Sequence, residues 1–189
     1  MIRRATPIDA RSHGPRRNRA AFTFTKRMKT LFLIRHAKSS RDNTALADKD
    51  RPLNDRGKRE APKMGKRLAK RRVKPDLILS SPAARALTTA EIIAKKLEYK
   101  RKKILLDDRL YAVGADDLLD VIRKLDDAAE RVMLIGHNPE LTELAHRFSS
   151  KIIHLPTCAV AEFTFDAKSW SRIGKEKPAK VALDYPKQS

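Results

Sequence analysis

Short apolar runs alternate along the chain with longer stretches in which apolar residues recur at helical spacing. The apolar runs predict five β-strands, at residues 30–34, 76–79, 104–106, 131–135 and 159–165, of which 104–106 is the weakest. Residues 30–34 and 131–135 are apolar throughout, as is typical of strands that helices cover on both faces. This alternation of strands and helices predicts an α/β fold.

Four stretches of helical period predict α-helices, at residues 55–72, from Ser81-Pro82 onward, at residues 116–125, and from Asn138-Pro139 onward. Asn54 is expected to cap the first helix. In the second, Ser81 would be the capping residue and Pro82 would take the first helical position, where a proline costs no hydrogen bond.

The length of 189 residues allows one sizeable hydrophobic core and predicts three parts. Residues 1–29 hold nine Lys or Arg and one acid without a hydrophobic period, which predicts a disordered basic extension. An organelle transit peptide, or a start codon upstream of a functional Met28, would explain the same composition. Residues 30–170 would form the domain, and residues 171–189 a C-terminal segment and tail that begins as a hairpin or extended chain.

Composition favours a soluble protein over a membrane protein, because no apolar run approaches the roughly 20 residues that span a bilayer. The single cysteine, Cys158, cannot form an internal disulfide, which favours a reducing, cytoplasmic location unless the basic N-terminal segment directs import. Of the net charge of +20, residues 1–29 contribute +8. Because the rest is spread over predicted helix faces, nucleic acid is not expected to be the main partner.

Three segments carry residues suited to phosphate chemistry at the point where a predicted strand ends. They are Arg35-His36, Ser80 to Arg85, and Gly136-His137-Asn138-Pro139. Ligands of open α/β sheets bind at the carboxyl ends of the strands, and the N–H groups that begin the following helices favour anions. Two arginines and two histidines would therefore converge on one phosphate site.

These segments resemble those of the histidine phosphatase superfamily, in particular its short SixA-like phosphohistidine phosphatase branch. The resemblance runs in order from Leu31 to Asp166, with Arg35-His36-Ala37 where most members have Arg-His-Gly, and it includes Arg51 to Gly57 and Asp76 to Arg85. It implies a three-layer α/β/α sandwich with a mostly parallel central sheet, similar to phosphoglycerate mutase. It also implies a phosphatase.

By this resemblance His36 is the nucleophile, which attacks phosphorus as a neutral imidazole and becomes phosphohistidine. Arg35 and Arg85 would bind the phosphoryl oxygens and keep the pKa of His36 low, while His137 would donate a hydrogen bond to the same oxygens. Ser39 is a candidate secondary phosphate ligand. The scheme needs no metal and no cofactor.

The general acid is not assigned, because the stretch where larger members supply a glutamate contains none. Asp107, Asp108 and Asp116 are the candidates. At position 42, where many relatives have Asn, this chain has Asp42, so a phosphate contact there is not expected.

A phosphohistidine substrate has a weakly basic leaving group and needs less acid help than an alkoxide does. Only 52 positions separate Arg85 from His137, which leaves little room for a lid. An open pocket favours a phosphorylated protein, such as a histidine phosphotransfer domain, as the partner. A small phosphoester or nucleotide is the alternative substrate, and an inactive basic binding scaffold is the alternative of another class.

Overall fold

The five predicted strands and a sixth in the C-terminal segment form one sheet in a computed structural model that describes residues 28–187. The strands are β1 (Lys29–Arg35), β2 (Leu77–Ser80), β3 (Leu105–Leu106), β4 (Arg131–Gly136), β5 (Val160–Phe165) and β6 (Lys180–Asp184). They lie side by side in the order β3-β2-β4-β1-β5-β6. Strands β1 to β4 pair in parallel, and β5 is antiparallel to both of its neighbours. The predicted α/β fold with a mostly parallel central sheet is therefore confirmed.

Within residues 28–187, four α-helices cover the two faces of this sheet. They are α1 (Asp55–Lys70), α2 (Ala84–Lys96), α3 (Ala115–Arg123) and α4 (Glu140–Phe148). Because side chains alternate along a strand, Leu31 and Leu33 of β1 pack on the face that α3 and α4 cover, while Phe32 and Ile34 pack on the α1 and α2 face. Each face has its own buried cluster, which explains why β1 is apolar throughout.

Two helices begin later than the sequence predicted. Helix α2 starts at Ala84 rather than at Ser81-Pro82, and α4 starts at Glu140 rather than at Asn138-Pro139. Neither helix is capped by a side chain. The hydroxyl of Ser81 contacts His137 and accepts from the backbone N–H of Ala83, while the amide nitrogen of Asn138 donates to the carbonyl oxygen of Leu155. The predicted cap of α1 is confirmed, since the side chain of Asn54 accepts a hydrogen bond from the backbone N–H of Gly57 at 3.0 Å.

The two ends of the described chain both join the sheet. Strand β1 begins one residue earlier than predicted, and Lys29 is fully buried there. Strand β6, within the C-terminal segment, pairs along the whole of its length with β5. The predicted basic extension lies almost wholly outside the described residues, so the three-part division of the chain stays a prediction. None of the helices between residues 28 and 187 is both long enough and apolar enough to cross a bilayer.

Candidate active site

The register of the sheet brings the three phosphate-type segments together. Arg35 at the end of β1 pairs with Gly136 at the end of β4, and Ser80 at the end of β2 pairs with Ile135. Since these strands are parallel neighbours, the residues that follow them emerge at one edge of the sheet. The side chains of His36, Arg85 and His137 meet there.

His36 is held in one tautomer. Its Nδ1 lies 2.8 Å from the carbonyl oxygen of Ala37, so that Nδ1 carries the proton and donates it in a hydrogen bond. The other ring nitrogen, Nε2, is unprotonated, and its lone pair accepts a hydrogen bond from Nε of Arg85 at 3.4 Å. The imidazole thus presents a nucleophilic nitrogen to the guanidinium group that would hold a phosphoryl group.

The pKa of His36 is lowered to about 3, chiefly by burial; the charges of Arg85 and Arg35 act in the same direction, and the hydrogen bond to Ala37 opposes them. Only 9% of the residue is exposed. The sequence predicted a low pKa from the arginines, but the larger cause is the removal of the ring from water. His36 is therefore neutral, and able to attack, at every physiological pH.

The second histidine is held by a serine. Nε2 of His137 lies 2.8 Å from the hydroxyl oxygen of Ser81, while its Nδ1 is buried without a hydrogen-bond partner. The centres of the His36 and His137 rings are 5.0 Å apart. Burial, and then the charge of Arg85, lower the pKa of His137 to about 4. If the hydroxyl of Ser81 donates to Nε2, the proton of this neutral ring sits on Nδ1, as an N–H group without a partner.

The side chains of the two arginines are held by contacts with different parts of the chain. Nη1 of Arg35 donates to the carbonyl oxygen of Leu155 at 2.8 Å, and its buried Nε has no partner. Arg85, in the first turn of α2, is 7% exposed, and its guanidinium group contacts the loop that joins β1 to α1. Two nitrogen atoms of the site, Nε of Arg35 and Nδ1 of His137, are thus buried without hydrogen-bond partners, and Nε of Arg35 is an N–H donor.

These side chains line a cavity of about 300 Å³. The basic side chains in its wall are Arg35, Lys38, Arg41, Arg51 and Arg85. Asp48 is the single acidic residue of that wall among residues 28–187. An excess of cations around two neutral histidines suits a compact anion such as a phosphoryl group.

Asp48, Arg51 and Tyr111 belong to this site but were not proposed from the sequence. Asp48 accepts hydrogen bonds from Arg85 and from the hydroxyl of Tyr111, and its other oxygen accepts from Arg51. Arg51 also donates to the hydroxyl of Ser39 at 2.8 Å, which places that candidate ligand in the cavity wall. The signal for Arg51 was its place in the family-like segment that starts there; nothing in the sequence pointed to Asp48.

The three candidate acids lie away from the cavity wall. Asp107 caps the turn that follows β3 and binds the side chain of Arg109, with side-chain contacts of 3.0 and 2.7 Å. Asp108 and Asp116 are largely exposed and form ion pairs with other surface residues. Within the described part of the chain, no group of three or more His, Cys, Asp or Glu side chains is placed to hold a metal ion.

Comparison with known proteins agrees with this geometry. The family model of the histidine phosphatase superfamily (branch 1) matches residues 31–118. An uncharacterized chloroplastic protein of Arabidopsis thaliana is 31% identical over 159 residues, which cover 80% of this chain and 73% of the relative.

Two solved structures share the fold. One is a protein proposed to be the phosphohistidine phosphatase SixA of Agrobacterium tumefaciens, with 26% identity, a TM-score of 0.68, and coverage of 82% of this chain and 94% of the other. The second, proposed to be SixA of Nakamurella multipartitia, has 21% identity, a TM-score of 0.71, and coverage of 85% and 98%.

Proposed function

The chain belongs to the histidine phosphatase superfamily and is a phosphatase, and on this basis we propose that it hydrolyses protein phosphohistidine through a phosphohistidine intermediate on His36. The observation that carries the proposal is the 3.4 Å approach of Arg85 to Nε2 of a buried, neutral His36. Nucleophile and phosphate-binding group are thus already side by side.

In the first step, the lone pair of His36 Nε2 attacks phosphorus and the P–N bond of the substrate breaks. The electron pair of that bond goes to the substrate imidazole, which leaves as a neutral ring when its other nitrogen carries a proton. Arg35, Arg85 and Nδ1–H of His137 bind the three phosphoryl oxygens and stabilise the charge that they share. One imidazole replaces another, so the two sides of this step are similar in energy.

In the second step, water attacks phosphorus and the bond to Nε2 of His36 breaks. The departing imidazole takes back its electron pair and is neutral, because Nδ1 kept its proton throughout in the hydrogen bond to Ala37. The proton released by water passes to a phosphate oxygen or to solvent. No side chain has to protonate a strongly basic leaving group in either step.

A protein substrate is supported by the surroundings of the cavity. The loop from Arg41 to Asp50 on its rim is exposed at every residue. A phosphorylated side chain on another protein, for instance on a histidine phosphotransfer domain, can reach such a site without being enclosed. A small phosphoester or nucleotide would use the same chemistry and is the competing substrate class. The cytoplasmic location stays a prediction, and the name of the Arabidopsis relative makes an organelle a second candidate.

The test is turnover of a phosphohistidine protein in the presence of EDTA. The purified chain is expected to release phosphate, and a labelled adduct that is stable in base and labile in acid should appear on the enzyme. Both should vanish in His36→Ala and in Arg85→Ala, whereas His146→Ala, which changes an exposed histidine of α4, should leave both intact.

Full activity in His36→Ala would refute the proposed chemistry. A kcat/KM that is much higher for small phosphoesters than for the phosphohistidine protein would assign the substrate to the other class. Salt-sensitive binding of acidic partners with no turnover of any substrate would support the scaffold.

A further inference from the structure

The carboxylate of Asp48 is bound where a phosphoryl group would need to bind. Asp48 lies on a single 3₁₀ turn, Asp48–Asp50, in the loop between β1 and α1. Its Oδ2 accepts hydrogen bonds from Nη2 of Arg85 at 2.8 Å and from the hydroxyl of Tyr111 at 3.0 Å. Its Oδ1 accepts from Nη1 of Arg51 at 2.7 Å.

Asp48 accepts hydrogen bonds from both terminal nitrogens of Arg85, which uses two of the five N–H groups of that guanidinium. Nη2 binds the carboxylate, Nη1 binds the backbone oxygen of the same residue, and Nε faces His36. Burial works to raise the pKa of Asp48, but the hydrogen bonds from Arg85 and Tyr111 outweigh it and lower the pKa to about 2. At neutral pH the residue is therefore an anion that neutralises part of the positive charge of the cavity.

We propose that Asp48 is an internal competitor of the phosphoryl group, which must displace its carboxylate from Arg85 in order to bind. The proposal rests on the proposed function, in which Arg85 holds the phosphoryl oxygens. A carboxylate and a phosphoryl dianion repel each other and cannot share the same donors. Because 53% of the Asp48 side chain is exposed and the loop around it is exposed too, the carboxylate can move into solvent without opening the core.

Such a competitor determines which ligands the site retains. Inorganic phosphate has only its own oxygens to offset the lost contacts of Asp48, and it should therefore bind weakly and leave readily after hydrolysis. A phosphorylated protein gains further contacts outside the cavity. The binding free energy of these contacts offsets the cost of displacing the carboxylate, which free phosphate has to meet alone. Asp48 would thus favour a macromolecular substrate over free phosphate and over small phosphoesters.

A purely supporting role for Asp48 predicts the opposite sign. If the carboxylate served only to orient Arg85 and Arg51, its removal would leave these arginines less ordered, and phosphate would bind more weakly. If the carboxylate competes, its removal frees Nη2 of Arg85 and takes a negative charge out of the cavity, and phosphate binds more tightly. Equilibrium binding of inorganic phosphate separates these roles without any need for turnover.

The experiment is calorimetric titration of the full chain with inorganic phosphate at pH 7.5 and fixed ionic strength. Asp48→Asn and Asp48→Ala are both expected to lower the Kd, by roughly tenfold, which corresponds to the loss of one charge-assisted competitor. Asp50→Asn is the matched control: it removes an equal charge from the same turn, where the residue is exposed, and should change the Kd by less than about twofold at 0.15 M salt.

An unchanged or higher Kd in both Asp48 variants would overturn the proposal, as would an equal gain in Asp50→Asn. Arg85→Ala shows which idea has failed. If that variant binds phosphate as tightly as the native chain, the phosphate site itself is wrong, and the proposed function falls with it. If it binds weakly while the Asp48 variants show no gain, only the competitor role is refuted.

Discussion

The neutral state of His36 makes the stability of the fold depend on pH in a way that can be measured. Its pKa is about 3 in the folded protein and 6.5 in an unfolded chain. As the pH falls below 6.5, the unfolded state takes up a proton that the folded state does not, so the free energy of unfolding falls. Between pH 7 and pH 5 this single residue should remove about 2 kcal/mol of stability, at about 1.4 kcal/mol per pH unit.

The assay is urea unfolding of the native chain and of His36→Gln at both pH values, with stability taken by linear extrapolation. Glutamine does not titrate, so the difference between the two proteins cancels the contribution of every other group. The native chain is expected to lose about 2 kcal/mol relative to the variant on going from pH 7 to pH 5. A difference that stays constant within about 0.5 kcal/mol would mean that the folded pKa of His36 is close to 6.5, and would refute the reasoning from burial.

Three further predictions follow from single contacts. Ser81→Ala, which frees the second histidine to change tautomer, should lower kcat by up to about a hundredfold with less effect on KM, as steady-state kinetics would show. Gly57→Ala would place a Cβ 2.2 Å from the backbone oxygen of Lys38, and should cost about 1–3 kcal/mol in urea unfolding, whereas Gly114→Ala, with its nearest contact at 3.5 Å, should cost less than about 1 kcal/mol. Burial raises the pKa of Cys158 to about 12, so a thiol reagent at pH 8 should label it only after denaturant is added; rapid labelling of the folded chain would contradict this burial.

Much of the fold could be predicted because a strand that is buried on both faces has a sequence that is apolar throughout. Strands β1 and β4 lie in the middle of the sheet, so neither face of them tolerates polar side chains. Parallel pairing then brings their ends together, which is why the sequence alone could assign Arg35 and His137 to one edge of the sheet. Strand β3 has two residues, both of them exposed, so its apolar pattern in the sequence is much weaker.

Other parts could not be predicted because long-range contacts replaced local preferences. Ser81 followed by Pro82 has the local pattern of a helix start, but its hydroxyl binds a histidine 56 positions away, and α2 begins at Ala84 instead. Asp48 lies in a polar loop without periodicity, and its partner Arg85 is 37 positions away. Neither contact can be recognised from the few residues on either side of Ser81 or Asp48, and helix propensity and hydrophobic spacing depend on those residues alone.

Asp48 also affects the electrostatics of the cavity. Five cations around one cavity hold a phosphoryl group well, yet they would hold the product phosphate equally well and would repel protons from any histidine among them. Burial acts in the same direction as the second effect and keeps both histidines neutral, as the proposed roles of nucleophile and hydrogen-bond donor require. Because the cations would also hold the product phosphate, its release needs an anion that can take its place. Within the described cavity wall, Asp48 is the negatively charged residue, and its carboxylate contacts Arg85. If Asp48 has the proposed role, the same balance would let a site so rich in arginine release its product.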